Sequence, residues 1–256
     1  MLEAGVLVKP PTRKADVETL EVVRRLRPQA ILLNFPENIE EIVYSYSKGL
    51  IDYDEFVESI SEKLPEPKST WIKGFEVLLR ELPGIGELAD IFCYTDVELF
   101  DQEAATSVEI ALLAIKCIVR EKIDVEEWVK VLKKSVIGED ERLGREFSKI
   151  IDVAQNYERV ICISGFEGKY IKRRLEQAGV KSWIRYLGMP YHFTPLEILK
   201  RLIMLDKIDK ELFSKLIKEH IRFLREYVYY MSYADAVEKW VRERLYWLPV
   251  GRVQPG

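Results

Sequence analysis

A short run of β-branched residues followed by two glycines constrains the fold more than any other segment. Residues 160–163 are uniformly apolar, and Ser164 and Gly165 follow them directly. An unbroken apolar run of this length is typical of a strand that is covered on both faces, as in a parallel sheet. Gly165 and Gly168 allow the chain to leave the strand sharply and enter a helix. The segment therefore predicts a buried strand, a tight turn and a helix.

The same alternation of strand and helix occurs elsewhere in the chain. Strands are predicted at residues 4–8, 29–35, 90–95, 160–163 and 181–187. Asp16 is predicted to cap the first connecting helix, which spans residues 17–26. Connections between parallel strands are nearly always right-handed crossovers through a helix. The sequence thus predicts an α/β fold with a mostly parallel central sheet of about five strands, flanked by helices.

The segments between the strands divide the chain into a core and helical additions. Residues 1–190 are predicted to form the α/β core, with a helical cap inserted at about 37–82. Residues 191–248 are predicted to form a C-terminal helical region packed on the core, and residues 249–256 a flexible tail. In open α/β sheets, ligands bind beyond the carboxyl ends of the strands. The inserted helices are expected to cover this edge.

Composition narrows the class of protein. Charged residues make up 32% of the 256 residues and the net charge is -4, which argues against a dedicated nucleic-acid surface. Asn and Gln number only 8 while Glu, Lys and Arg are abundant, a bias that predicts a thermophilic source. Cys93, Cys117 and Cys162 lie in apolar runs and are predicted to be buried free thiols. Neither a signal peptide nor a membrane-length apolar stretch is recognised, so we expect a cytoplasmic protein.

The residues that follow the predicted strands form the candidate site, because the carboxyl ends of parallel strands share one edge. They are Lys9, Arg13, Lys14, Asn34, Glu37, Tyr94, Asp96, Ser164, Glu167, Lys169 and His192. The cations lie near a helix N-terminus, which predicts a site for phosphate or another anion. The predicted ligand-binding residues are Lys9, Arg13, Lys14, Ser164 and Lys169. A solvated charged loop that binds nothing is the alternative reading.

The sequence identifies no catalytic residue, but four residues at the strand ends are candidates. They are Glu37, Asp96, Glu167 and His192. The three carboxylates are ligands that suit Mn²⁺ or Mg²⁺, which gives a metal site as an alternative. Zinc is not indicated, because the chain has only two histidines. The other one, His220, lies in mid-helix and is predicted to be a surface or packing residue.

Aromatic residues concentrate in the last two predicted helices. They are Phe223, Tyr227, Tyr229, Tyr230, Tyr233, Trp240, Tyr246 and Trp247. Their helical spacing predicts packing on the core or on a partner subunit, and we expect a homo-oligomer that forms through these helices. Stacking on nucleic-acid bases is the alternative, and the basic segment 169–174 would then contact phosphates.

Two segments resemble a known family. In residues 139–179 a long helix leads into the strand and the glycine turn, and this segment looks like the late motif of the TraB/PrgY, ChaN and erythromycin-esterase-like superfamily. Residues 29–37 are similar to the second strand and acidic motif of that superfamily, and residues 47–51 also resemble it. The resemblance implies a metal-dependent or histidine-dependent hydrolase, and it carries over Glu37 as a site residue.

Both histidine motifs of the superfamily are missing from this chain. The early glycine–histidine motif should fall near residues 8–13, where there is no histidine, and Glu167 stands where the late histidine is expected. The missing groups indicate a degenerate, non-catalytic member that binds a small anionic ligand or a protein partner. A divalent-metal-dependent hydrolase that uses the carboxylates at the strand ends is one alternative. A nucleic-acid-associated regulator is another.

Overall fold

Five parallel strands form the central sheet of the computed structural model, which describes residues 2–135 and 139–245, without the side chains of residues 69, 70 and 139–143. The strands are β1 (Glu3–Val8), β2 (Ala30–Pro36), β3 (Asp90–Thr95), β4 (Arg159–Ser164) and β5 (Lys181–Tyr186). They lie in the order β3-β2-β4-β1-β5, and helices flank the sheet. The predicted α/β fold with a parallel five-stranded sheet is therefore confirmed. The tail predicted at 249–256 lies outside the described residues.

Twelve α-helices occur in the described parts of the chain. They are α1 (Arg13–Leu26), α2 (Glu40–Ser47), α3 (Tyr53–Lys63), α4 (Lys68–Arg80), α5 (Leu82–Gly86), α6 (Val97–Arg120), α7 (Val125–Lys134), α8 (Glu139–Asn156), α9 (Gly168–Gln177), α10 (Pro195–Met204), α11 (Lys210–Phe223) and α12 (Tyr233–Arg244). A 3-10 turn at Glu37–Ile39 precedes α2, and a π-helical turn at Leu224–Val228 follows α11. The C-terminal region is therefore helical, as predicted.

The first helix begins earlier than its sequence pattern predicts. Thr12 has extended backbone angles and caps α1, and its hydroxyl accepts a hydrogen bond from the Ala15 N–H at 3.2 Å. The prediction that Asp16 caps this helix is wrong. Asp16 instead lies in the first turn, where it is buried. Arg13 consequently belongs to the helix rather than to the preceding loop, which changes the direction in which its side chain projects.

The central strands are buried on both faces, which accounts for their unbroken apolar sequences. Val6 of β1 pairs with Cys162 of β4 on one side and with Ile184 of β5 on the other. Leu32 of β2 pairs with Phe92 of β3 and with Cys162. The pairing of β2 with β3 becomes irregular after residue 33, near the end of both strands. This irregularity lies at the carboxyl edge of the sheet.

Side chains alternate between the two faces of the sheet. Leu7 and Ile161 point to one face and pack against α1 to α5, while Val6 and Cys162 point to the other and pack against α8 and α9. A third apolar cluster joins α6, α7, α10 and α11. A fourth joins the end of α11 to α12. The sheet and the helical regions thus have separate apolar cores.

The C-terminal aromatic residues that the structure describes include a buried and an exposed group, and Tyr246 and Trp247 lie outside the described residues. Phe223, Tyr227 and Trp240 are buried within the fourth cluster. Tyr229 and Tyr230 are 80% and 73% exposed. Much of the aromatic set therefore packs inside its own chain, and an oligomer that forms through these helices stays a prediction.

The remaining sequence predictions on cysteines and membranes can be compared with the described residues. Cys93, Cys117 and Cys162 are buried free thiols. The indole N–H of Trp128 contacts the Cys117 sulfur at 3.4 Å. Of the helices described, none combines the length and the apolar character that crossing a membrane requires.

Candidate functional site

The strand exits gather at one edge of the sheet because all five strands are parallel. A chain of hydrogen bonds crosses this edge from β3 to β4. The Thr95 hydroxyl donates to the Asn34 side-chain oxygen at 2.6 Å, and the Asn34 amide donates to Glu167 at 3.4 Å. The Gly165 N–H donates to the same Glu167 oxygen at 2.8 Å. Glu167 is thus held by neighbouring strand ends rather than projecting freely as a first-turn acid.

Glu37 and Asp96 lie in a second charged group at this edge. Lys149 of α8 lies 2.8 Å from Glu40 and 3.9 Å from Glu37. Asp96 pairs with Arg145 of α8 at 3.0 Å and also caps α6. Burial raises the pKa of Glu37, an effect that Lys149 opposes and that the charges of Glu40 and Asp96 reinforce. Two cations of α8 therefore neutralise much of the acidic charge here.

The three candidate metal ligands divide between these two arrangements. Glu167 is bonded to Asn34, whereas Glu37 and Asp96 interact with the cations of α8. Within the part of the chain that the structure describes, no group of three or more His, Cys, Asp or Glu side chains is arranged to hold a metal ion. Sites for Mn²⁺ or Mg²⁺ stay a prediction from the sequence.

Lys9 and Asp16 form a buried ion pair beside the end of β1. The ammonium nitrogen lies 2.6 Å from the Asp16 carboxylate and 5.0 Å from the centre of the Phe75 ring. Burial raises the pKa of Asp16, and the Lys9 charge and hydrogen bond offset part of this increase. An ammonium has three donors, and Asp16 takes one of them. Lys9 therefore keeps donor capacity toward a neighbouring group.

The other predicted anion-binding residues have partners of their own or lie elsewhere on the surface. Arg13 pairs with Asp235 of α12 at 2.7 Å. Lys14 donates to the Met189 carbonyl at 2.8 Å. The buried Ser164 hydroxyl lies 3.4 Å from the Leu7 carbonyl, and Lys169 is exposed on α9. Of Lys9, Arg13 and Lys14, Lys9 is the one that lines the two cavities described next.

His192 lies in the loop between β5 and α10. Its ring nitrogen Nδ1 is 2.9 Å from the Phe193 carbonyl oxygen, and its ring contacts the edge of Trp240 at 6.4 Å between centroids. It lines neither of the two cavities at the carboxyl edge. The neighbouring Phe193 packs against Phe166 at 4.9 Å between ring centroids, so the loop that carries His192 contacts the turn that carries Glu167.

A pocket of about 340 Å³ lies against the loop that follows β1. Its walls come from α4, from the N-terminal half of α6 and from the start of α12. Trp71, Phe75 and Phe100 supply aromatic surface, and Ala104 of α6 leaves room between them. Phe75 meets Trp71 at 4.9 Å between ring centroids, so these walls support each other. The pocket is therefore mostly apolar, and its charged lining residues are Lys9, Glu66 and Glu103.

A smaller cavity of about 90 Å³ leads toward the ends of the strands. It shares Lys9, Pro11 and Phe75 with the larger pocket. Its other walls include Asn34 and Ser164, which belong to β2 and β4. Two mostly apolar chambers thus meet at Lys9, and Asn34 and Ser164 add polar side chains to the smaller one. This arrangement suits a small molecule with an apolar body and one polar end.

The pocket walls are the part of the site that the sequence pattern misses. Trp71 and Phe75 are predicted to face inward on a helix of the cap, which indicates burial but not a cavity. The apolar spacing of the sequence predicts a start near residue 104 for the helix that follows β3, whereas α6 begins at Val97, so Phe100 falls before the predicted start. The cap that Asp96 supplies to α6 was the available signal for that earlier start, since aspartate favours this position.

Comparisons with known proteins identify no relative of this chain. No protein-family model, curated protein or solved structure matches the chain.

Proposed function

We propose that this protein binds a small, mostly apolar molecule that carries one carboxylate or carbonyl group. The apolar body occupies the larger pocket, and the polar group reaches Lys9. The observation that carries the proposal is that Lys9 lines both cavities while its ammonium is only partly used by Asp16. Of the cations that the sequence predicts to bind an anionic ligand, this proposal assigns the contact with the ligand to Lys9 alone.

The size and the lining of the pocket support this class of ligand. Pockets for small molecules are mostly apolar, with a few polar groups that orient the ligand, and a volume near 340 Å³ lies at the lower end of their range. Trp71, Phe75 and Phe100 offer rings on which an aryl or alkyl group packs. A multiply charged ligand is disfavoured, because burying several charges against these walls is costly.

The polar side of the site supports recognition of a single oxygen-bearing group. Lys9 is a cation that lines both cavities, and Asn34 and Ser164 line the smaller one. A ligand carboxylate at Lys9 would share the ammonium with Asp16. Because the pKa of Asp16 is raised, protonation of Asp16 at lower pH would free the ammonium for the ligand.

A thermal-shift experiment tests the proposal. The probes are octanoate and 3-phenylpropanoate, with octanol and 3-phenylpropanol as neutral controls of matched shape. A ligand that binds only the folded state raises the melting temperature. We expect the carboxylates to raise it more than the alcohols do. No shift with any of the four would contradict the proposal.

Two tryptophan variants on α6 locate the binding site. Ala104 lines the pocket, and Ala104→Trp should fill it and remove the shift. Gln102 is exposed on the same helix and lines neither cavity, so Gln102→Trp should keep the wild-type shift. An equal shift in both variants would place the binding elsewhere.

The other functions that the sequence suggests stay predictions. They comprise the TraB/ChaN-like resemblance, a divalent-metal-dependent hydrolase and a nucleic-acid-associated regulator. For the last, Lys172 pairs with Glu176 at 2.6 Å, and Arg174 lies over the Phe147 ring at 5.0 Å. These contacts reduce the charge that segment 169–174 offers to phosphates. A thermophilic source and a cytoplasmic location also stay predictions.

A further inference from the structure

Helix α6 carries apolar residues on two opposite faces. On its inner face Ile110, Leu113 and Cys117 pack into the third cluster with α7, α10 and α11. Its outer face exposes Val108 (40%), Leu112 (60%), Ile115 (56%), Ile118 (41%) and Val119 (76%). A surface helix of a globular protein normally has a polar outer face, and a helix that is apolar on all sides is normally buried. Within the described residues, 2–135 and 139–245, the outer face of α6 therefore lacks the cover that an apolar face normally has.

The charged residues in this part of α6 are directed away from the outer face. Lys116 pairs with Glu127 of α7 at 2.6 Å. Glu109 pairs with Lys134 of α7 at 2.8 Å. Both ion pairs hold their side chains against α7, so that the middle of the outer face has no charge between Val108 and Val119. A continuous exposed apolar patch of this kind marks an interaction surface.

The spacing of the exposed residues fits a second copy of the same helix. Val108, Leu112, Ile115 and Val119 are separated by four, three and four residues, which is the spacing of a coiled-coil seam. This spacing reads the same in both directions. A two-fold axis midway between Leu112 and Ile115 therefore sets Val108 opposite Val119 of the second copy, and Leu112 opposite Ile115. Such a self-complementary contact is what a two-fold dimer requires.

The charges at the ends of the helix select the antiparallel arrangement. Asp101 is exposed near the N-terminal end, and the exposed residues Arg120, Glu121 and Lys122 leave one net positive charge at the C-terminal end. The same two-fold axis brings Asp101 of one copy about one helical turn from the level of Lys122 of the other. A parallel pair would instead set acidic ends together and basic ends together, which is unfavourable.

We propose that the chain forms a homodimer through antiparallel pairing of the outer faces of two α6 helices. This interface differs from the C-terminal aromatic helices, which the sequence favours. The pocket-lining residues of α6 end at Ser107, so the centre of the interface at Leu112 and Ile115 does not line the pocket.

Sedimentation equilibrium of the full chain tests the proposal. The wild type should be a dimer at a protein concentration of about 100 μM, well above the dissociation constant of an ordinary stable interface. The double variant Leu112→Glu, Ile115→Glu sets four like charges around the axis and should be a folded monomer. The control variant Tyr229→Glu, Tyr230→Glu changes the exposed C-terminal aromatics and should remain a dimer.

Cysteine cross-linking tests the direction of the helices. Val108→Cys and Val119→Cys single variants are oxidised separately and as an equimolar mixture. Antiparallel pairing should give a disulfide dimer only in the mixture, because residue 108 faces residue 119 and a disulfide needs adjacent Cα atoms. A parallel pair would cross-link each variant alone and would overturn the arrangement.

Charge exchange gives a third result that depends on the same axis. Asp101→Lys should weaken the dimer, and adding Lys122→Asp should restore it.

Three outcomes would overturn the proposal. They are a monomeric wild type, a dimer that survives Leu112→Glu with Ile115→Glu, and a monomer that uses the same face to bind phosphatidylcholine vesicles.

Discussion

His220 should make the stability of this protein depend on pH in a way that one substitution removes. The residue is 3% exposed on α11, and its Nδ1 has no hydrogen-bond partner in the described structure. Its ring meets the edge of Trp128 at 6.0 Å between centroids. Burial lowers the pKa of His220 from 6.5 to about 4, and the nearby charge of Lys200 acts in the same direction. The folded protein therefore favours the neutral ring.

The size and sign of the effect follow from this lowered pKa. The unfolded chain binds a proton at His220 near pH 6.5 while the folded chain does not, so the free energy of unfolding falls as the pH decreases. The stabilisation is fully present above about pH 6.5 and is lost progressively down to about pH 4, a total of about 3 kcal/mol. Between pH 7.5 and pH 5 the expected loss is about 2 kcal/mol.

Urea denaturation at a series of pH values measures this loss. His220→Phe keeps a ring against Trp128 and removes the titrating group together with the unpartnered nitrogen. We expect its free energy of unfolding to fall by about 2 kcal/mol less than that of the wild type between pH 7.5 and pH 5. His192→Phe removes the only other histidine and should keep the wild-type loss, because His220 is still present. Identical pH dependence of wild type and His220→Phe would refute the reasoning.

Two further predictions concern close packing and the buried ion pair. Gly86→Ala should lower the free energy of unfolding by about 1–3 kcal/mol, because a Cβ there would lie 2.2 Å from the Ser47 carbonyl oxygen. A Cβ at Gly84 would have no atom within 4 Å, so Gly84→Ala should not lower the free energy of unfolding by this amount. Equal free energies of unfolding for the two variants in urea denaturation would contradict the close packing at residue 86. Lys9→Met should destabilise by about 3–5 kcal/mol at neutral pH, because the Asp16 carboxylate is left buried without its cation. Lowering the pH should reduce that loss of stability, because Asp16 becomes neutral. A Lys9→Met variant as stable as the wild type at pH 7 would show that the ion pair does not stabilise the folded protein.

The sheet was predictable because its strands are buried on both faces. Burial on both faces requires unbroken apolar runs such as 160–163, and these are visible in the sequence. The order of the strands was not visible. It depends on which crossovers pass in front of and behind the sheet, and β4 lies between β1 and β2 although it is distant from both in sequence.

The gathering of the strand ends at one edge was predictable, but the pairings of the residues there were not. Parallel strands bring their ends together, and Asn34 and Glu167 do meet at that edge. The partners that neutralise the cations come from remote parts of the chain, as Asp235 does for Arg13. No local spacing reports such a contact. The helical spacing of the apolar residues around Trp71 likewise predicts that Trp71 faces inward. This spacing does not show that a pocket remains in front of the Trp71 side chain.

The most direct test of the proposed binding site is an NMR titration of nitrogen-15-tryptophan-labelled protein with octanoate. The chain has five tryptophans, of which Trp71 lines the pocket while Trp128 is buried in the third apolar cluster. We expect octanoate to move the indole N–H signal of Trp71 and to leave that of Trp128 in place. A Trp71 signal that does not move at saturating octanoate, or one that moves equally with octanol, would contradict a pocket that recognises a carboxylate through Lys9.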